Sequence, residues 1–113
     1  MKHAQLKFDE EFRVALGNAR SQGAVMVLQP GTSTGGPDNR HRGADQWLYV
    51  CAGRGVAIVD GLETQLESGT LILIEAGEAH EIRSAGDEPL KTLNIYVPPA
   101  YDSEGEELPA GRG

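Results

Sequence analysis

The chain has 113 residues, 39% of them hydrophobic, a net charge of −7 and a single cysteine, Cys51. This length predicts one domain over residues 1–113, and an acidic balance without a basic stripe argues against nucleic acid as a partner. One cysteine excludes an intrachain disulfide. Because neither a signal peptide nor a long apolar run is present, we expect a cytoplasmic protein without a membrane partner.

Short runs rich in β-branched and aromatic residues follow one another along the chain, each bounded by glycine, proline or aspartate. Near the start, 12–16 is favoured as a strand, and one helical turn within 9–16 is the alternative. Asp60 and Gly61 are typical of a tight hairpin turn between two strands. The runs with the clearest strand character are 24–28, 47–51, 55–59, 70–74 and 93–97.

This pattern predicts an all-β sandwich or barrel, because no long helical pattern interrupts the short strands. We place the core of the fold at about 24–99 and an N-terminal strand region at 1–23. The C-terminal residues 102–113 contain four acids and almost nothing apolar except Leu108. We expect them to form an extended tail or a strap over a neighbour.

Two histidines lie beside apolar strands that end in glycine turns. His80 closes a segment in which the run 70–74 is followed by a turn at Gly77. His41 precedes the run 47–51, which is followed by a turn at Gly53. An imidazole at the end of a strand can be presented to the interior of a barrel, so both residues are candidate metal ligands.

The downstream segment resembles the second motif of small single-domain cupins, G(X)5PXG(X)2H(X)3N. Gly69, Gly77 and His80 stand at its two glycines and its histidine. Glu75 takes the place of the proline, and Ser84 takes the place of the final asparagine. The resemblance covers roughly 24–99 and implies a cupin-type antiparallel β-barrel, the double-stranded β-helix or jelly roll.

The upstream segment is similar to the first cupin motif, G(X)5HXH(X)3,4E(X)6G, in part. Asn39 occupies the position of the first histidine, His41 that of the second, and Gln46 that of the glutamate, six residues before Gly53. Fifteen residues separate Gly53 from Gly69, as in compact members of the family.

The resemblance implies a centre for a divalent transition metal, Fe, Mn, Ni or Zn, held by Asn39, His41, Gln46 and His80. Each of these side chains is neutral when it binds a metal. With three good ligands at most, the ion would keep open positions and its full positive charge. Such a centre suits a chelating anionic ligand.

Further candidates surround this predicted centre. Arg40 and Arg42 are either surface charges or a clamp for a substrate carboxylate or phosphate, although alternation beside an inward His41 would turn both away. Strand alternation favours Asn94 and Tyr96 as polar cavity lining that binds ligand. The candidate proton carriers in a reaction are Tyr96, Glu75 and Glu78.

The alternation of the run 47–51 predicts two different faces. If Gln46 points inward, Leu48 and Val50 follow it, whereas Trp47, Tyr49 and Cys51 point outward. An apolar outer face on so small a barrel would be buried by a second subunit or by the N-terminal strand, and we expect a homodimer.

Two functions from different classes fit these residues. The first is a metal-dependent enzyme that acts on a small oxygenated acid or a sugar derivative. The second is a cupin that binds or senses a small ligand without turning it over. The fold cannot choose between them, because this architecture hosts many chemistries.

Overall fold

A computed structural model describes residues 1–35 and 43–108. Within these two stretches the chain forms strands and turns, and it contains no helix long and apolar enough to cross a membrane. The strands are β1 (Phe12–Gly17), β2 (Gln22–Leu28), β3 (Ser33–Gly35), β4 (Asp45–Ala52), β5 (Gly55–Val59), β6 (Leu62–Leu66), β7 (Leu71–Ile74), β8 (His80–Ser84) and β9 (Leu90–Val97).

The strands form two antiparallel sheets. One has five strands in the order β1-β2-β9-β4-β7, and the other has four in the order β3-β8-β5-β6. Apolar side chains from both sheets share one core cluster, which includes Leu48 and Leu28 from the first sheet and Ile82 and Leu66 from the second. The predicted all-β antiparallel fold is confirmed.

Several local predictions are confirmed as well. The segment near the start is a strand, β1, in which Phe12 pairs with Met26 of β2. Asp60 and Gly61 have φ angles of 47° and 83° and connect β5 to β6 in a two-residue hairpin. Positive φ at both positions matches the right-handed twist of the flanking strands, which explains why aspartate and glycine occur there.

Strand β4 has the two predicted faces. Gln46, Leu48 and Val50 are buried, while Trp47 and Tyr49 are each 42% exposed. Because β4 lies between β9 and β7, it is an interior strand of the five-stranded sheet. The inward face of β4 therefore directs Gln46 toward the space between the sheets.

The C-terminal segment differs from the expected extended tail over the part that is described, 102–108. The N–H of Asp102 donates to the carbonyl of Glu106, and the N–H of Leu108 donates to the carbonyl of Ala100. The Asp102 carboxylate accepts from the N–H groups of Glu104 and Glu106. The aspartate satisfies the amides of a turn, so the acidic segment folds back on itself.

A candidate metal and ligand site between the sheets

Gln46 and His80 belong to different sheets, and the turn between β7 and β8 connects the strand beside Gln46 to His80. Gln46 pairs with Ile74, the last residue of β7, and the turn 75–79 leads from there to His80 at the start of β8. His80 is 5% exposed and Gln46 is 4% exposed. The β7–β8 turn thus brings a buried amide and a buried imidazole to the same end of the fold.

Two aspartates fix this turn from opposite sides. The Asp45 carboxylate accepts from the N–H of Ala76 at 2.8 Å, and the Asp60 carboxylate accepts from the N–H of Ala79 at 2.8 Å. The N–H of Asp60 also donates to the carbonyl of Ala79. Hydrogen bonds to a charged acceptor are stronger than neutral ones, so the backbone that carries His80 is firmly held.

The ring of His80 is oriented by its own turn. Its Nδ1 lies 3.3 Å from the carbonyl oxygen of Glu78, which can only accept a hydrogen bond. Nδ1 therefore carries the hydrogen in a neutral ring, and Nε2 carries the lone pair. A histidine held in this way by a backbone carbonyl is the usual form of a metal ligand.

Gln46 differs from a second inward glutamine in the same cross-strand row. Both residues flank Tyr96 of β9. Gln22 uses both ends of its amide on the backbone of Tyr101, because Nε2 donates to the carbonyl at 2.6 Å and Oε1 accepts from the N–H at 3.2 Å. Gln46 Nε2 donates to Asn94 at 3.3 Å, but among the described residues its buried Oε1 has no hydrogen-bond partner. A buried acceptor without a partner is costly, so this oxygen is suited to a bound cation or donor.

Asn94 and Thr92 continue inward from Gln46 along β9. Both are fully buried, and Asn94 lies beside Leu48 in the register of the sheet. Asn94 Oδ1 accepts from Gln46 Nε2, and Asn94 Nδ2 donates to Thr92 Oγ1 at 3.2 Å. A row of polar side chains thus extends from the candidate site into the core.

Tyr96 is 3% exposed, and its ring contacts Tyr101, with centroids 5.2 Å apart. Tyr101 packs in turn on Phe12 at 4.8 Å. Burial raises the pKa of Tyr96 well above its usual value of 10.0, and the neighbouring Tyr101 raises it further. The phenol is therefore protonated at neutral pH and cannot act as a base there, and its hydroxyl is hydrogen-bonded to Tyr101.

The two glutamates proposed as proton carriers belong to the β7–β8 turn. Glu75 is exposed, and Glu78 is partly buried. Glu78 Oε1 accepts from the N–H of Glu75 at 2.7 Å, so this carboxylate closes the turn. Their catalytic role stays a prediction.

The remaining candidates, Asn39, Arg40, His41 and Arg42, lie outside the described residues. The described chain ends before them at Gly35, which pairs with Glu81 beside His80, and resumes at Gly43 shortly before Gln46. Among the described residues, no group of three His, Cys, Asp or Glu side chains could hold a metal ion. The other two predicted ligands, His41 and Asn39, are thus not tested by the structure.

Sequence reasoning missed Thr92 as an Asn94 partner and Gln22 as a clamp on the C-terminal segment. The alternation of β9 places Thr92 on the face of Asn94, so that signal was present. Gln22 and Tyr101 are 79 positions apart, and no local pattern connects them.

The chain matches the model of a family described as the Cupin domain over residues 24–96. It is 29% identical over 102 residues to the uncharacterized protein YrkC of Bacillus subtilis, an alignment that covers 84% of this chain and 54% of the relative. The chain spans about half the length of the curated relatives it matches.

Two solved structures illustrate the likeness in three dimensions. A predicted oxalate decarboxylase from Thermotoga maritima is 26% identical with a TM-score of 0.70, and the match covers 78% of this chain and 79% of that one. An uncharacterized protein with a double-stranded β-helix domain from Klebsiella pneumoniae is 22% identical with a TM-score of 0.70, over 84% of this chain and 83% of that one. The second likeness shows the fold.

Proposed function

Since the chain belongs to the Cupin domain family, we propose that it binds a divalent transition metal between its two sheets and uses that ion to hold a small oxygenated acid or sugar derivative. The donors would be His80 and Gln46 together with His41, and Asn39 is a possible fourth. The ion would be Fe, Mn, Ni or Zn, since imidazole suits Fe, Ni and Zn and a carbonyl oxygen suits Mn.

The buried Oε1 of Gln46, which has no hydrogen-bond partner within residues 1–35 and 43–108, supports this proposal. The inward Gln22 of the same row has both amide atoms hydrogen-bonded, whereas Gln46 pairs with Ile74, the residue from which the turn to His80 begins. The orientation of the His80 ring makes Nε2 the atom with the lone pair. An amide oxygen and an imidazole nitrogen fit one cation, and neither adds negative charge to it.

A metal bound by neutral ligands acts as a Lewis acid toward an oxygen of the substrate. Around it, the residues of this chain would orient and exclude water. Tyr96 remains a proposed ligand-binding residue and proton carrier, and its hydroxyl would have to leave its hydrogen bond with Tyr101 to act on the ligand. Arg40 and Arg42 remain proposed partners for an anionic group. The predicted oxalate decarboxylase from Thermotoga maritima is consistent with a small acid as the ligand class.

Elemental analysis tests this proposal. Protein purified without a histidine tag, then reconstituted with each of the four metals, should bind about one equivalent, and His80→Ala and His41→Ala should each lose most of it. A thermal-shift screen of small acids and sugar acids, run with and without metal, should show shifts that depend on the ion. Wild-type protein that binds no metal after reconstitution would contradict the proposal.

A non-catalytic ligand-binding or sensing role is the second candidate, and one observation favours it. The buried polar residues of the described chain include no Asp or Glu. With Tyr96 protonated, Glu78 engaged in its turn and His80 assigned to the metal, the described residues supply no inward carboxylate as a base. Binding with no turnover of any acid in the screen would favour this role over an enzyme.

We also propose that the protein is a cytoplasmic homodimer. The outward face of the five-stranded sheet exposes a continuous apolar surface, because Trp47 pairs with Leu73 and Tyr49 pairs with Leu71 across β4 and β7. These four side chains are 40–57% exposed. A second copy would remove this surface from water. The thiol of Cys51 forms no disulfide, which suits a reducing compartment.

A further inference from the structure

We propose that Asn94, which Thr92 holds by a hydrogen bond, is a positioning residue that sets the amide of Gln46 with its oxygen toward the metal and its nitrogen toward the core. This inference rests on the proposed function and gives Asn94 a different role from the ligand-binding one expected from its sequence. The described contacts of Asn94 join it to Gln46 and Thr92.

The hydrogen bonds among Gln46, Asn94 and Thr92 run in one direction from donor to acceptor. Gln46 Nε2 donates to Asn94 Oδ1, and Asn94 Nδ2 donates to Thr92 Oγ1. An amide has one accepting end and one donating end, so the direction of the Asn94 amide fixes the direction of the Gln46 amide. With Asn94 in this direction, Oε1 is the atom left for a partner outside the row.

The reverse order would be incompatible with a cation. If the Asn94 amide turned by 180°, its Nδ2 would face Gln46, which would then turn its own Oε1 toward the core and its Nε2 toward the site. The Thr92 hydroxyl can either accept or donate, so it could pair with Asn94 in both orders. An N–H group directed at a metal repels it, and the order seen here is the one that supplies a ligand atom.

The hydrogen bonds that position Gln46 are strengthened by the burial of Asn94 and Thr92. Asn94 and Thr92 are fully buried, and Asn94 lies between Ala24 and Leu48 in the sheet. No water competes for these hydrogen bonds, and losing one leaves a buried donor unsatisfied. A partner of this kind, which orients a metal ligand without contacting the metal, typically changes metal affinity by about 10–100-fold.

Three variants of the full chain test the inference by titration with Co²⁺. Asn94→Leu removes the acceptor for Gln46 Nε2, and its affinity should fall by about 10–100-fold. Asn94→Asp can only accept, so it holds Gln46 in the same direction, and it should keep at least wild-type affinity. Thr92→Val should cause a smaller loss than Asn94→Leu. Met26→Leu, which alters the core beside Thr92 without a hydrogen bond, is the control and should bind as wild type does.

A double-mutant comparison distinguishes loss of the positioning role of Asn94 from a general disturbance of the fold or an effect of added charge. In a Gln46→Ala background, Asn94→Leu should cause no further loss, because the side chain that it orients is absent. The visible spectrum of bound Co²⁺ should change in Asn94→Leu and return in Asn94→Asp. Equal affinity and spectra in wild type and Asn94→Leu, or equal losses with and without Gln46, would overturn the inference.

The inference can also be tested without metal. In ¹⁵N NMR spectra, the side-chain amide protons of Gln46 should be protected from exchange in wild type and Asn94→Asp and should lose protection in Asn94→Leu. Unchanged protection in Asn94→Leu would refute the positioning role. If wild-type protein binds no Co²⁺ but shows this pattern of protection, the proposed function fails and the positioning of Gln46 stands.

Discussion

The two sheets of this molecule differ in where their polar and apolar residues lie. The four-stranded sheet carries charged or polar residues on the outward side of its flanking strands, and its inward residues include Ala57, Leu66 and Ile82 together with His80 and Ser84. The five-stranded sheet buries a polar set, which comprises Gln22, Gln46, Thr92, Asn94 and Tyr96, and exposes an apolar set outward, which comprises Trp47, Tyr49, Leu71, Leu73 and Val97.

This difference marks the five-stranded sheet as the one suited to function. Burying polar side chains costs free energy unless each is paired, and exposing large apolar side chains forgoes burial energy. A sheet that does both is suited to a site on its inward face and an interface on its outward face. The apolar core is shared by both sheets, and the four-stranded sheet adds the buried imidazole of His80 to the inward polar residues.

The largest expected effect is on stability, in the four-stranded sheet. Leu66 is 2% exposed and belongs to the core shared by both sheets. Leu66→Ala should lower the free energy of unfolding by about 2–5 kcal/mol, because it removes buried methyl groups and leaves a cavity. Urea denaturation measures this loss. Leu66 pairs with Gly55, at the end of β5 opposite the residue that pairs with His80, so metal affinity should stay within about twofold of wild type. A tenfold loss of metal affinity would show that metal binding depends on the core of the four-stranded sheet.

The next effect concerns the outward face of the five-stranded sheet. Trp47→Glu places a charge in the apolar surface and should weaken dimer formation by about 30-fold or more, the cost of losing an interface residue worth about 2 kcal/mol. Light scattering across a concentration series would show the shift toward monomer.

Gln65→Glu is the matched control for this change. Gln65 is exposed on the edge strand β6 of the other sheet, and the substitution introduces the same charge. It should leave the oligomeric state unchanged. A Trp47→Glu protein that stays dimeric, or a Gln65→Glu protein that dissociates equally, would remove the functional distinction between the two outward faces.

The smallest effect is a pH dependence from Tyr96. Its pKa in the folded protein lies well above the 10.0 of an unperturbed tyrosine, so above pH 10 the unfolded chain loses the proton first. The contribution of Tyr96 is therefore complete below pH 10 and is lost as pH rises, by up to about 1.4 kcal/mol per pH unit. Tyr96→Phe should show a shallower alkaline loss of stability in urea melts between pH 9 and 11. An unchanged slope would mean that the inward hydroxyl is not buried in solution.

The parts of the fold that the sequence predicted correctly are those determined by residues close together in the chain. Alternation identified both faces of β4, and Asp60 with Gly61 identified a hairpin, because each depends on residues close in sequence. Strand β6 has no such signal, since only Leu66 is buried in it and its other residues are exposed at an edge. The polar row from Gln46 to Thr92 depends on side chains 48 positions apart, which no pattern along the chain can pair.

The candidate site was foreseeable through the cupin-like spacing of Gln46 and His80, but not through burial or charge. His80 follows the apolar run 70–74 and the turn at Gly77, as the sequence indicated, and it begins β8, one residue after Ala79 is fixed by Asp60. The distinction between Gln46 and Gln22 is invisible in the sequence, because both are inward glutamines on long strands. Only their hydrogen bonds show that Gln22 supports the C-terminal segment, whereas the oxygen of Gln46 has no partner in the part of the chain that the structure describes.

The most direct test of the account is an anomalous diffraction experiment on crystals of the wild-type protein soaked with Zn²⁺ or Mn²⁺. The account predicts one strong peak between the sheets, within about 2.0–2.3 Å of His80 Nε2 and Gln46 Oε1, the range of metal–ligand bonds. The peak should disappear in His80→Ala crystals. A peak bound only to surface carboxylates, or no peak beside Gln46, would contradict the assignment of these two residues to a metal centre.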